Sequence, residues 1–128
     1  MKCLAIDLGS TSGWAVVNDR LGVPKSGHVP DSHFVEVIGG VIQTYNPENI
    51  VCEEPILIRG PLGATLRDIA DAFRQLCPNA IYVRPSDWKP HPMSKAGFPG
   101  AIKVKSIHER DAICIGRWFV KTRLQGSS

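Results

Sequence analysis

No apolar run in the sequence approaches the roughly 20 residues that a membrane-spanning helix requires. The opening Met1-Lys2-Cys3-Leu4-Ala5-Ile6-Asp7 meets an acid before the apolar centre of a secretory signal could form. A soluble, cytoplasmic protein with no membrane partner is the expectation. The four cysteines, Cys3, Cys52, Cys77 and Cys114, show no CxxC or CxH spacing. That speaks against a zinc site or a disulfide framework and for buried thiols in a reducing compartment. There is no internal repeat and no low-complexity tract. Aromatic residues at 7% and charged residues at 21% leave an ordinary globular composition, which excludes disordered, collagenous and coiled-coil chains. At 128 residues there is room for one domain, whose core buries roughly two thirds of the unfolded surface. One domain over 1–125 is expected, with a disordered tail at 126–128.

The net charge of +3 hides an asymmetry. Residues 84–124 hold nine Lys/Arg against three Asp/Glu, whereas residues 1–83 hold six against nine. The last third is therefore basic and the remainder acidic, which reads either as a solvated basic face or as a surface for a polyanion.

Lys2–Asp7 and Trp14–Val17 read as two strands of a hairpin, and Lys25–Val29 as a weaker third. From Pro30-Asp31-Ser32, the apolar residues Phe34, Val37, Ile38, Val41, Ile42 and Tyr45 recur at helical spacing until Asn46-Pro47. Gly39-Gly40 inside that helix suggests close packing on a sheet. Asn49–Cys52 is a buried-type strand running into Glu53-Glu54-Pro55. Gly60-Pro61-Leu62-Gly63 reads as a loop and Thr65–Cys77 as a helix, with the stripe Leu66, Ile69, Ala70, Phe73 and Leu76. Ala80–Val83 is a short strand, and Ser86 is placed to cap one helical turn. Residues 90–105, rich in Pro, Gly and Lys, read as a flexible loop. A helix follows over Ser106–Leu124, with Ile107, Ala112, Ile113, Ile115, Gly116 and Phe119 towards its buried side. The order β-β-β-α-β-α-β-α implies an α/β fold with a mixed sheet flanked by helices.

In such sheets, sites gather at the carboxyl ends of parallel strands. Asp7 ends one strand, and Glu53 and Glu54 end another. A lone Asp at a strand end serves equally well to cap a turn. Two strands of one sheet ending in carboxylates at the same edge instead bring like charges together, which costs energy unless a cation is bound. In Ile107-His108-Glu109-Arg110-Asp111, His108 and Asp111 are three apart and share a helix face, a spacing suited to metal ligation. The alternative is a solvated first turn whose acids favour the helix dipole.

Three blocks together, Ala5-Ile6-Asp7-Leu8-Gly9-Ser10-Thr11-Ser12-Gly13-Trp14, Ile50-Val51-Cys52-Glu53-Glu54-Pro55 and His108-x-x-Asp111-Ala112, resemble the RuvC family of Holliday junction resolvases in the ribonuclease H-like superfamily. Arg84-Pro85-Ser86-Asp87-Trp88-Lys89 looks like a stretch of the compact phage-type members. The resemblance implies a homodimeric endonuclease that resolves four-way and branched DNA junctions by paired nicks, with no nucleotide cofactor. It implies two Mg²⁺ ions, replaceable by Mn²⁺, at Asp7, Glu53, His108 and Asp111. Glu53 is preferred to Glu54 because the family's acid directly follows the apolar strand, although a register shift would exchange them. Lys89, Lys103 and Lys105 are the candidate phosphate contacts, or else ordinary surface lysines. Trp88 is expected to be packed rather than stacked on a base.

The segment Pro55-Ile56-Leu57-Ile58-Arg59 lacks the aromatic wedge of many relatives, which puts base unstacking in doubt. Ile6-Asp7-Leu8-Gly9-Ser10-Thr11 also resembles the phosphate loop of sugar kinases and actin-like ATPases, but those need two domains around the nucleotide. Two further readings stay open: a YqgF-type nuclease acting on RNA, and a non-catalytic nucleic-acid-binding module on the same fold.

Overall fold

The computed structural model describes residues 2–54, 61–89 and 106–124. Five strands form one sheet: β1 (Lys2–Asp7), β2 (Thr11–Asn18), β3 (Lys25–Pro30), β4 (Asn49–Glu53) and β5 (Ile81–Val83), in the spatial order β3-β2-β1-β4-β5. β1, β2 and β3 pair antiparallel as a meander, while β1–β4 and β4–β5 are parallel. The helices are α1 (Phe34–Tyr45), α2 (Pro61–Leu76), the single turn α3 (Pro85–Trp88) and α4 (Ile107–Phe119). A 3₁₀ turn, Asp31–His33, leads into α1, and a π-helical turn, Val120–Leu124, continues α4. The mixed sheet with helices agrees with the architecture expected from the sequence.

Alternation along the strands divides the core in two. Cys3 and Ala5 of β1, Ala15 and Val17 of β2, Val51 of β4 and Val83 of β5 pack beneath Ala112, Ile113, Ile115 and Phe119 of α4. Leu4, Ile6, Val16 and Cys52 face the other way, against Phe34, Ile38 and Val41 of α1 and Ile69, Ala70 and Phe73 of α2. Leu66 and Leu76 of the α2 stripe pack against this cluster as partly buried residues. None of the four cysteines forms a disulfide and all are buried; burial raises every thiol, Cys3 to about 12 and Cys77 to about 11. Among the described residues no helix is long and apolar enough to cross a membrane.

Several local expectations are corrected. α2 begins at Pro61, inside the stretch read as a loop; proline is well suited to the first helical position, where its missing N–H has no partner to lose. The turn α3 is capped at Arg84 rather than by Ser86: the Asp87 carboxylate accepts the Arg84 N–H at 2.9 Å, and Pro85 takes the first position. Ile107 is 67% exposed, since as the first residue of α4 it precedes the turn that meets the sheet. Gly39 and Gly40 make no close approach, a Cβ on either having nothing within 4 Å. They lie off the Phe34, Ile38 and Val41 face that carries the packing. The stretch 90–105, Lys103 and Lys105 within it, Pro55–Arg59 and the tail 126–128 lie outside the described residues.

Gly116 is the opposite case, because a Cβ there would stand 2.6 Å from Val17 Cγ2 and 3.2 Å from Ala5 Cβ. Gly40→Ala should therefore stabilise the protein by about 0.5–1 kcal/mol through helix propensity alone. Gly116→Ala should destabilise it by about 1–3 kcal/mol through overpacking. Urea denaturation of the two variants checks both signs, and a neutral Gly116→Ala would contradict the close approach. A thiol reagent such as Ellman's should find none of the cysteines reactive until denaturant is added, since the thiolate is the reacting species.

Candidate active site

β1 and β4 run parallel, with Ile6 opposite Cys52 in the ladder. Their next residues, Asp7 and Glu53, stand at the carboxyl edge where the strands stop. Both carry the parity of the α4 face, one residue on from the buried Ile6 and Cys52 that point the other way. α4 crosses that face with its first turn at the same edge, so His108 and Asp111 arrive there too. Glu54, on the opposite parity, is exposed, and its carboxylate lies 3.7 Å from Arg84 Nε. Strand alternation thus separates the two adjacent acids, and Glu53 is the one turned towards Asp7.

The helix reaches the edge because nothing separates it from β2. A Cβ on Gly13 would collide with the backbone carbonyl of His108. Where the turn from β1 enters β2, Ser12 is fully buried; its hydroxyl accepts the Gly9 N–H at 3.2 Å and lies 3.3 Å from the Gly9 carbonyl oxygen. This turn brings Gly9 under the His108 ring, where a Cβ would come within 3.3 Å of Cε1.

Asp7 is 7% exposed, and its Oδ2 lies 2.9 Å from His108 Nδ1. Burial raises the Asp7 pKa, opposed by the hydrogen bond and charge of His108, a hydrogen bond with Glu53 and the charge of Lys89. Glu53 is raised by burial and then by the charge of Asp7, opposed by the indole N–H of Trp88 and by Lys89. Asp111 is raised by burial and by Asp7, opposed by Lys89, His108 and Arg110. Three carboxyls from three elements therefore feel one another, and one ammonium, Lys89, acts on all three.

Trp88, expected from the sequence only to be packed, also bonds an acid of the candidate site. It is 2% exposed, and its Nε1 donates to Glu53 Oε1 at 3.1 Å. One buried indole thus fills the core under α3 and orients an acid of the site, while the Lys89 ammonium lies 5.6 Å from the centre of its ring. The available signal was the tryptophan's place two residues before a proline and directly before a lysine; nothing in that pattern points to Glu53.

Three carboxylates and an imidazole are the donor chemistry that a hard divalent cation takes, and such a cation relieves both the burial that raises all three carboxyls and the Asp7 charge that further raises Glu53 and Asp111. In the arrangement described, no three His, Cys, Asp or Glu side chains among the described residues converge as a metal-holding group. Asp7 is bonded to His108, and Glu53 to Trp88. The donor set fits the ion in kind.

An acid whose folded pKa is raised holds more protons folded than unfolded in the interval between the two values, so stability falls as pH rises through it. Glu53→Gln and Asp111→Asn, measured in EDTA, should therefore raise the melting temperature at pH 7, and the gain should shrink at pH 5. Variants less stable than the parent at pH 7 would contradict the upward shifts that burial and the Asp7 charge impose on Glu53 and Asp111.

No family model and no curated protein matches the sequence. Among solved structures, the chain is similar to the Thermus thermophilus RuvC in complex with Holliday junction substrate, at TM-score 0.79 and 16% identity, with 98% of this chain and 96% of that one covered. It is similar also to a second Thermus thermophilus RuvC structure, at TM-score 0.77 and 16% identity, over 98% of this chain and 97% of the other. At that identity the likeness is one of fold, and it runs the length of both chains: this protein has the mixed α/β, ribonuclease H-like fold seen in RuvC.

Proposed function

We propose that the protein is a divalent-metal-dependent endonuclease that resolves four-way DNA junctions. The observation that carries this reading is the gathering of Asp7, Glu53 and Asp111 with His108 at the carboxyl edge of two parallel strands. The match to a RuvC solved in complex with Holliday junction substrate supports it. Asp7, Glu53, Asp111 and His108 are the residues that would hold the metal, Mg²⁺ or in its place Mn²⁺. Such ions supply charge neutralisation at the scissile phosphate and a water acidic enough to attack at neutral pH.

The chain's own residues have definable tasks. With its proton on Nδ1 donated to Asp7, His108 would present Nε2 to the ion or to a water. Asp7 fixes that tautomer, as a carboxylate behind an imidazole does elsewhere. Trp88 holds Glu53 in one orientation through its indole N–H. Lys89, whose charge acts on all three acids, would meet a phosphate oxygen once DNA brings its negative charge to the edge. Paired nicks need two sites, so the working form is a homodimer.

The test is incubation of the protein with an immobile four-way junction, a matched linear duplex and an RNA duplex, with Mg²⁺ or with EDTA, followed by denaturing electrophoresis. Symmetric nicks in the junction alone are expected, dependent on Mg²⁺. Asp7→Asn, Glu53→Gln and Asp111→Asn should each lower the rate by about a hundredfold or more while junction binding survives. Tight binding without cleavage would point to a binding module, and cleavage of the RNA alone to an RNA-processing nuclease; either outcome overturns the assignment.

A further inference from the structure

One acid beside the site takes no part in the chemistry above. Glu109 lies between His108 and Asp111 in the chain, yet points the opposite way and is 5% exposed. Its Oε2 accepts the Ser26 hydroxyl at 2.6 Å, and its Oε1 lies 3.8 Å from Nδ1 of the half-exposed His28. Ser26 and His28 flank Gly27 on β3, opposite Ala15 and Gly13 of β2, so they share one face of the sheet. Glu109 reaches across β2 to that neighbouring strand. The start of α4 is held at its backbone as well, with the Ser106 hydroxyl accepting the Glu109 N–H at 3.1 Å.

A buried carboxylate is an expensive way to anchor a helix, since burial disfavours the charge unless hydrogen bonds compensate it. An apolar side chain there would hold the helix down without fixing its rotation. A charge-assisted hydrogen bond of 2.6 Å is short and directional. A bond of that kind restricts the angle of a helix turn about its axis, on which the directions of neighbouring side chains depend. Gly13 admits the close approach of the same turn, a Cβ there meeting the His108 carbonyl.

We propose that Glu109 is a positioning residue: clamped to Ser26, it fixes the rotation of the first turn of α4, so that His108 meets Asp7 and Asp111 faces the acids at the strand ends. The proposal deepens the nuclease reading, and its effect on metal use rests on that reading. The orientation of His108 does not rest on it.

The experiment compares the parent protein with Glu109→Ala, Glu109→Gln and Ser26→Ala by two measurements. One is the ¹⁵N resonances of the His108 ring in metal-free protein. The other is the Mn²⁺ concentration that half-saturates junction cleavage, set beside junction affinity in EDTA. Glu109→Ala should shift the His108 resonances and raise the Mn²⁺ requirement about tenfold or more, with junction affinity changed less than about twofold. Glu109→Gln should restore most of both, because its amide oxygen still accepts from Ser26. A folded Glu109→Ala with unmoved His108 resonances and an unchanged Mn²⁺ requirement would overturn the proposal. If Glu109→Ala does not fold, Ser26→Ala removes only the donor hydroxyl, and the same two measurements on that variant uphold or overturn the clamp. A parent protein that cleaves nothing would overturn the nuclease reading, and the His108 resonances would still decide the clamp.

Discussion

The site depends on how closely α4 lies against the sheet. Two glycines make that approach. At Gly13 the backbone of β2 meets the backbone of His108 with no room for a Cβ, and along α4 Gly116 rests on Val17 and Ala5. Small residues continue between them, with Ala15 of β2 and Ala112 of α4 in the same buried cluster. A bulkier residue at either glycine would lift the helix, and the side chains of its first turn would leave the carboxyl edge of β1 and β4. Packing and chemistry are therefore one constraint: the core beneath α4 sets the distance at which His108 and Asp111 face Asp7.

Against that close packing stands an electrostatic conflict. Asp7, Glu53 and Asp111 are all raised by burial, and Glu53 and Asp111 also by the charge of Asp7, an arrangement that opposes folding in the absence of a cation. The chain offsets the conflict with nearby donors, His108 on Asp7, Trp88 on Glu53, and the Lys89 ammonium near all three. Those donors come from α4, from the single turn α3 and from the residue after it. Local rules are broken at the candidate site, and the neighbouring elements supply the compensation.

Much of the fold was legible. Short β-type runs separated by turn residues marked the meander, and apolar spacing of three and four marked α1, α2 and α4, because burial on one face imposes those periods. Misreadings came where local composition and tertiary setting differ. Gly60-Pro61-Leu62-Gly63 has the look of a loop, yet Pro61 opens α2. Gly39-Gly40 suggested close packing and instead sits on an open face. Ile107 fits the apolar pattern of α4 by type but lies before the helix reaches the sheet.

The site divides the same way. That Asp7 and the Glu53-Glu54 pair end strands, and that His108 and Asp111 share a helix face, follows from chain-local periodicity, which the sequence determined by itself. Which glutamate joins Asp7 did not follow. Adjacent strand residues point to opposite faces, and only the side on which α4 packs selects Glu53 and leaves Glu54 to Arg84. The indole N–H of Trp88 on Glu53 and the Ser26 hydroxyl on Glu109 join residues 35 and 83 positions apart. Contacts at such separations carry no periodic trace along the chain, because they are set by the sheet order β3-β2-β1-β4-β5 and by the height of one helix above it; the tertiary structure alone decided them.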